Sequence, residues 1–408
     1  VYSALHRRVN LHSLSMVPGW VFAGGRDVFL ALSQMGGAAA QGLTGWLQNG
    51  SLQRYLLLLV VLALAAGVSP FLGDGPSSQM ASLHLNDLNW GVAVVGLLGI
   101  ATTLATTCVH RQRLLALVLL GATGLTVCLT FAYFSAPDLA LTQLLVELAT
   151  VMLMMLALHW LPAESTASPH RIRAWRDAVI AIAVGLGVAA LVWMVLTRPG
   201  QSISDYFLAT TLPLGGGANA VNVIIVDYRG FDTLGEITVL GISALILHAL
   251  LANFNTAPAA LSGTDGHPLM LQLVARLVLP FTVLVAVFFY LRGHNLPGGG
   301  FIGGLVLAIG LLLQSVAHGQ SWVAQRSSLD YRAWVGWGLV VAVLSGLASW
   351  WFGAPFLTST YDYPWLPGIG GVPLASASLF DAGVFLVVVG ATMVMLMSIA
   401  RLTRKAGH

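Results

Sequence analysis

Charge is what this chain has least of. Asp, Glu, Lys and Arg together supply 8% of its 408 residues, against 57% apolar residues, where a soluble domain carries about a quarter charged side chains. So few charges cannot keep a globular body in water, and a soluble fold is excluded. Cysteine is nearly absent too. Cys108 and Cys128 are the two in the chain; both lie in apolar sequence and read as small buried residues. They exclude a disulfide framework or a zinc site. The net charge of +3 comes without a basic patch, so no nucleic-acid partner is implied. There is no Walker motif, metal-ligand cluster, haem motif or hydrolase constellation. The chain is therefore expected to carry out no covalent chemistry alone, not to be an enzyme, and to need no cofactor or metal.

What is there instead is long hydrophobic sequence. Apolar runs sit at about 55–72, 90–109, 114–134, 138–160, 177–197, 230–253, 271–291, 299–318, 333–352 and 379–400. Each is near the ~20 residues that carry a helix across ~30 Å of hydrocarbon. The runs are continuous, without the alternation of a membrane barrel, so every backbone group must be satisfied inside helices. The expected fold is all-α, a polytopic transmembrane helical bundle of about ten spans in contact with lipid.

Basic residues orient the bundle. If the spans alternate, Arg54, Arg111, Arg113, Arg171, Arg173, Arg176, Arg326, Arg332, Arg401, Arg404 and Lys405 share one side, against Arg198, Arg229 and Arg292 on the other. That places the C-terminus in the cytoplasm. Before the first span, residues 26–48 space Val28, Phe29, Leu32, Met35, Ala39, Leu43, Trp46 and Leu47 as an amphipathic helix ended by Asn49-Gly50. It is expected to lie along the interface, with a short spanning helix as the alternative. The chain opens on Val1 with no visible signal peptide, and is expected to be the C-terminal portion of a longer polypeptide.

The pattern divides at 1–50, 51–254 (about six spans), a polar linker at 255–269, and 270–408 (four spans). The stretch Arg198–Arg229, with Pro213 and Gly215-Gly216-Gly217, reads as an external loop with a short helix around Ser204–Thr210 as an option. A second Gly-rich stretch, His294–Gly304, lacks the Lys-Ser/Thr of a phosphate loop. It suits close helix packing through Gly299, Gly300, Gly303 and Gly304.

Ionisable side chains inside spans are the candidate site. A charge at a helix centre costs roughly 2.5–3.5 kcal/mol on insertion scales, and is retained where it faces a partner, a cavity or an ion path. Glu147 lies nine residues past Asp138, about 14 Å along the helix, on the opposite face from Asp138 and the same face as Gln143. Glu236 follows Asp232 by one turn, so both carboxylates share a face and could pass protons or hold a hard cation. His159 and His248 each lie twelve residues after a glutamate, about 18 Å away, as inner relays rather than direct partners; a dipole-offsetting role at a helix end is the plainer alternative. Asp138, after Pro137, and Asp381, after Ser378, sit where a helix N-terminus favours an acid, so a structural role is preferred for both. Arg276 either snorkels or pairs with an intramembrane carboxylate.

Three strings then carry a family resemblance: Ala136 to Glu147 (APDLALTQLLVE), Asn222 to Thr238 (NVIIVDYRGFDTLGEIT) and Arg292 to Gly304 (RGHNLPGGGFIGG). They resemble the Mrp-type multisubunit Na⁺/H⁺ antiporters, the first two the C-terminal part of the family's A subunit and the third its B subunit, in the order of a fused A/B polypeptide. The resemblance covers roughly residues 50–400. It implies a bacterial inner-membrane subunit that exchanges cytoplasmic Na⁺ for external H⁺, supporting pH and salt tolerance. Its partners would be the other antiporter subunits, including the remainder of the A subunit, and Na⁺ and H⁺ would be its cargo. Glu147 and Glu236 match the family's acidic positions. Two alternatives stay open: the ion-translocating module of a membrane-bound hydrogenase or complex-I-like enzyme, and a structural assembly subunit with no ion path.

Overall fold

The computed structural model describes residues 25–48, 50–69, 89–158, 171–196, 202–252, 269–318, 330–367, 370–371 and 374–404. The chain forms two compact units, one of residues 1–84 with 168–200 and the other of residues 85–167 with 201–408.

In the first unit, α1 (Gly25–Leu47) is the amphipathic segment, with Phe29, Leu32, Met35 and Trp46 exposed. It meets α2 (Leu52–Val68) at a bend of 97°. Gly50 makes that corner with φ +77°, a left-handed conformation cheap only for glycine. At 17 residues, α2 is shorter than the run at 55–72 suggested. It packs against α6 (Arg171–Leu196), where a side chain at Gly187 would collide with Leu64.

The second unit holds α3 (Trp90–Cys108), α4 (Arg113–Tyr133), α5 (Pro137–Leu158), α7 (Ser204–Gly215), α8 (Ala220–Tyr228), α9 (Gly230–Ala252), α10 (Leu269–Arg292), α11 (Gly300–His318), α12 (Tyr331–Trp351) and α13 (Ala377–Arg404). Counting α6, nine helices among the described residues are long and apolar enough to cross a membrane. The all-α multispan architecture is the expected one.

The centre of this unit is α13. It is apolar all round, and such a helix must be surrounded by protein or lipid. Here Val384, Val387, Val388, Val389, Ala391 and Met393 are buried. Its seam with α12 is made of small residues. A Cβ at Gly383 would stand 2.6 Å from the Gly338 carbonyl oxygen, and one at Gly338 2.7 Å from Val387. Backbones that close gain dispersion contact where the hydrophobic effect offers nothing between helices in lipid. In contrast, α3 buries no residue.

The stretch around 204–228 departs from the loop expectation. It forms α7 and α8, bent by 81°. Pro213 and the three glycines terminate the first helix rather than prevent it: Gly216 is a left-handed C-cap at φ +67°, and Asn219 then caps α8. The last five residues of α8, Ile224–Tyr228, wind as a π-helix, an irregularity frequent at functional sites. Between α12 and α13 the chain makes two short antiparallel ladders. These join β1 (Tyr361–Asp362) to β4 (Leu374–Ala375), and β2 (Trp365–Leu366) to β3 (Gly370–Gly371).

Candidate functional site: an acid-lined cavity at the loop end of the bundle

α5, α9, α11 and α13 all begin at the end of the second unit where the α7–α8 corner and the Gly-rich turn meet. Their first turns therefore gather there, and with them the acids that sequence places near helix starts. Asp138 is buried at 7% exposure. Its Oδ1 accepts the Gly298 backbone N–H at 2.8 Å and its Oδ2 the Asn219 Nδ2 at 2.9 Å. Asn219 works in two directions. Its Oδ1 caps α8 by accepting from Val221 N at 3.2 Å and Asn222 N at 3.4 Å, while Nδ2 also reaches the carbonyls of Gly293 (3.0 Å) and Leu296 (3.1 Å).

Asp381, also 7% exposed, accepts the Gly300 N–H at 2.6 Å and has the Asn222 side-chain amide nearby, both lying against Gly299. The Gly-rich turn is shaped around these groups. Gly299 has φ +104°, and a Cβ there would lie 2.7 Å from Asn222 Nδ2 and 3.2 Å from Asp381 Oδ2. Close packing by glycine is thus one half of the turn's role. Its backbone amides are the other, as donors to two buried carboxylates.

Asp138, Thr142, Asn222, Thr233, Glu236 and Asp381 all line one cavity of ≈ 240 Å³. Its volume suits several ordered waters held at these side chains, the rest of the wall being apolar. Thr233 Oγ1 is committed to the Ile225 carbonyl at 2.9 Å, satisfying an acceptor in the π-wound turn. No three His, Cys, Asp or Glu among the described residues stand close enough to hold a metal ion. The carboxylates share a chamber without forming a cage.

The other sequence-selected residues sit elsewhere. Glu147 is half-buried between α5 and α4, where the bare face of Gly124 makes room: any Cβ at Gly124 would collide with the Glu147 carboxylate. Gln143 Nε2 reaches Glu147 Oε2 at 3.5 Å. Glu147 therefore faces α4 while Asp138 faces the cavity, as their opposite helix faces require. His248 meets Ser398 across α9 and α13 at 3.1 Å. Since the serine hydroxyl donates to the Val394 carbonyl at 2.6 Å, it accepts from His248 Nδ1–H. His159 lies outside the described residues.

Four expectations need correcting. Glu236 is not a buried acid in this chain: it is exposed while lining the cavity. Asp232, expected to share a face with Glu236, does not line the cavity with it; Arg229, one turn earlier, holds its carboxylate in an exposed ion pair. Arg276 is exposed, and its Nε donates to His318 Nε2 at 3.0 Å rather than to a carboxylate. Cys108 is exposed, whereas Cys128 is partly buried, because α3 packs on few neighbours. Sequence reasoning also passed over Asn219, Asn222, Thr233 and His294. The signal for Asn219 was available, an Asn directly before an apolar helical run. Asn222 carried no local signal.

Comparison with known proteins now decides the family. Residues 270–394 match a family model described as a domain related to the MnhB subunit of Na⁺/H⁺ antiporter. Residues 172–267 match the E subunit of MBH, and residues 98–163 match the D subunit of MBH. The Na⁺/H⁺ antiporter B subunit of Bacillus subtilis is 43% identical over 133 residues, a third (33%) of this chain and 93% of that protein. The chain belongs to the Mrp-type antiporter subunits. Its A-like portion is 34% identical over 232 residues to the Na⁺/H⁺ antiporter A subunit of the same organism, covering 55% of this chain and 28% of that protein. Both portions occur together in the probable K⁺/H⁺ antiporter A/B subunit of Rhizobium meliloti, 42% identical over 387 residues, 87% of this chain. The chain spans 38% of that relative's length. A chain of the Mrp complex from Dietzia sp. superposes with a TM-score of 0.73 at 29% identity, over 97% of this chain and 43% of that one.

Proposed function

We propose that this chain is the C-terminal part of an A-type subunit joined to a B-type subunit in a multisubunit cation/proton antiporter. The complex would be a secondary active transporter of the bacterial inner membrane that uses proton-motive force to expel Na⁺. Its partners are the remaining antiporter subunits, including the rest of the A-type polypeptide, and its cargo is Na⁺ and H⁺, with no cofactor. The observation that carries this reading is the cavity that Asp138, Asp381 and Glu236 line together at one end of the membrane helices, because ionisable groups within such helices are retained where they face a partner, a cavity or an ion path. Glu147 and Glu236 are the proposed carriers. His248 and His159 are the inner relays and Asp232 is the outer partner, its ion pair with Arg229 making it a surface group. Asp138 and Asp381 frame the chamber.

Orientation follows the positive-inside rule. In the second unit, Arg111, Arg113 and Arg332 lie at the end opposite the cavity, and α13 finishes there. That end, with the C-terminus, is assigned to the cytoplasm. Relatives named for Na⁺ and for K⁺ make the cation itself the first thing to measure. The MBH names of two matching family models favour a second reading, an ion-translocating membrane module of a redox-driven complex.

The test is cation-driven ΔpH in inverted vesicles carrying the whole complex, with Na⁺ and K⁺ run in parallel, comparing wild type with Glu147→Gln and Glu236→Gln after assembly is checked on native gels. The expected result is Na⁺-driven exchange lost at least about tenfold in both variants with assembly intact, an effect of about 1.4 kcal/mol or more on the transport barrier. Unchanged exchange in both would remove the ion path from this chain. Exchange with neither cation in wild type would favour the second reading.

A further inference from the structure

The segment ending at Ala252 and the segment beginning at Leu269 pack along the length of the bundle, and most of the hydrogen bonds between them gather at the cavity end, with His248–Ser398 at the other end. Three layers of contacts join them at the cavity end. In the innermost, Gly298 N–H donates to Asp138, Asn219 donates to the Gly293 and Leu296 carbonyls, and the Asn222 amide lies near Asp381. Around it, His294 Nε2 donates to the Gly215 carbonyl at 2.9 Å, Asn219 N–H to the His294 carbonyl at 3.1 Å, and Ala218 N–H to Asn295 Oδ1 at 3.1 Å. Outermost, Tyr361 and Tyr363 donate to the carbonyls of Pro213 (2.8 Å) and Gly216 (2.6 Å), and Ser359 N–H donates to Asp227 at 3.1 Å.

The pairing is reciprocal. Donors and acceptors on each segment find partners on the other. The segment ending at Ala252 alone would leave the buried Asp138 carboxylate without the Gly298 amide that it accepts from, and the segment beginning at Leu269 alone would leave the Gly293 and Leu296 carbonyls without Asn219. Shape is matched as well as charge. Glycines on one side admit large groups from the other: a Cβ at Gly217 would lie 2.7 Å from the His294 ring, and one at Gly216 would collide with Tyr361. The two segments also occur as separate proteins, since the Bacillus subtilis relatives of each are distinct subunits.

We propose that this end of the bundle is a polar clasp that docks the B-like segment onto the A-like segment, so that the covalent connection through residues 253–268 is not what holds them together. The partner this A-like face fits is a free-standing B-type chain. The clasp also completes the cavity, since Asp381 and the Gly298–Gly300 wall come from the B-like side and Asp138, Asn222 and Glu236 from the A-like side. The inference rests on the family assignment and these contacts, and not on which cation is carried.

The experiment places a protease site between residues 258 and 262 of the full-length chain in the assembled complex, cleaves it in detergent, and follows the B-like fragment on native gels during mild heating. The fragment is expected to stay bound after cleavage. Asp138→Ala and Asp381→Ala are each expected to lower the temperature at which it is lost, and Arg276→Ala, whose side chain is exposed and bonds His318 of its own segment, to leave that temperature unchanged. Release of the wild-type fragment on cleavage, or equal release from the Asp and Arg variants, overturns the clasp. Should the Asp variants fail to assemble, hydrogen exchange on the uncut wild-type complex decides. Amides of residues 293–300 are expected to exchange at least about 100-fold slower than free peptide, and free-peptide rates there overturn the proposal.

Discussion

At the scale of single residues, the glycines decide where the acids go. Gly124 leaves the only kind of surface that Glu147 can press against, since even one added methyl would meet its carboxylate. Gly124→Val is expected to destabilise the unit by about 1–3 kcal/mol, as overpacking does, and to turn Glu147 away from α4. Its check is thermal stability of the purified complex alongside ΔpH exchange. The expected signature is exchange falling with assembly kept, and Gly124→Ala giving the milder form of the same defect. Thr233 offers a second case. Its hydroxyl is the partner of the Ile225 carbonyl in the π-wound turn, and Thr233→Val keeps the shape while removing that bond. The expected cost is about 1 kcal/mol, read as a lower thermal midpoint. Glu147 and Glu236 could be picked out from depth and spacing alone. Asn222 could not, because its meaning depends on Asp381, more than a hundred and fifty positions later, and on a turn that brings Gly299 against both.

At the scale of elements, caps and terminators carry the argument. Asp330 caps α12: its Oδ1 accepts the Arg332 N–H at 3.1 Å. That bond, with the Arg332 guanidinium beside it, holds its carboxyl below the ordinary value of 3.8. A depressed folded value means the cap stabilises the helix start above the ordinary Asp range and is lost as pH falls through the lowered value. Amide protection in the first turn of α12 is therefore expected to drop on acidification below about pH 4, and Asp330→Ala is expected to remove that pH dependence, measured by hydrogen exchange. The same physics explains what was illegible around 198–229. Pro and three glycines signal the end of helical structure, and they do end α7; composition did not reveal that an Asn two residues later would start another helix. Likewise, hydrophobic length predicted ten spans, nine of which are helices of spanning length among the described residues, but gave no hint of the short ladders between α12 and α13, whose two-residue strands have no pattern to detect.

At the scale of the whole molecule, the arrangement separates two polar regions. One is the cavity end, where three acids from three helices share a chamber; the other is the α4–α5 seam that holds Glu147. If both lie on one transport route, Asp138→Asn combined with Glu147→Gln is expected to be no worse than Glu147→Gln alone, and independent routes would give additive losses. Vesicle ΔpH measurements on the two single variants and the double variant check this.

The sequence by itself determined the solvent, most of the spans, and the family, because hydrocarbon length and backbone satisfaction act locally and leave a pattern readable residue by residue. It also placed Asp138 in the first turn of a helix, whereas Asp381, read as a cap-like acid after Ser378, lies past the first turn of α13, which begins at Ala377. Only the tertiary structure decided that these two, ranked as structural, meet Glu236 around a common cavity, while Asp232 is diverted to Arg229 and Arg276 to His318. The physical reason is that periodicity fixes which face of a helix a side chain occupies, but which neighbour covers that face depends on small-residue seams and turns whose partners lie far away along the chain.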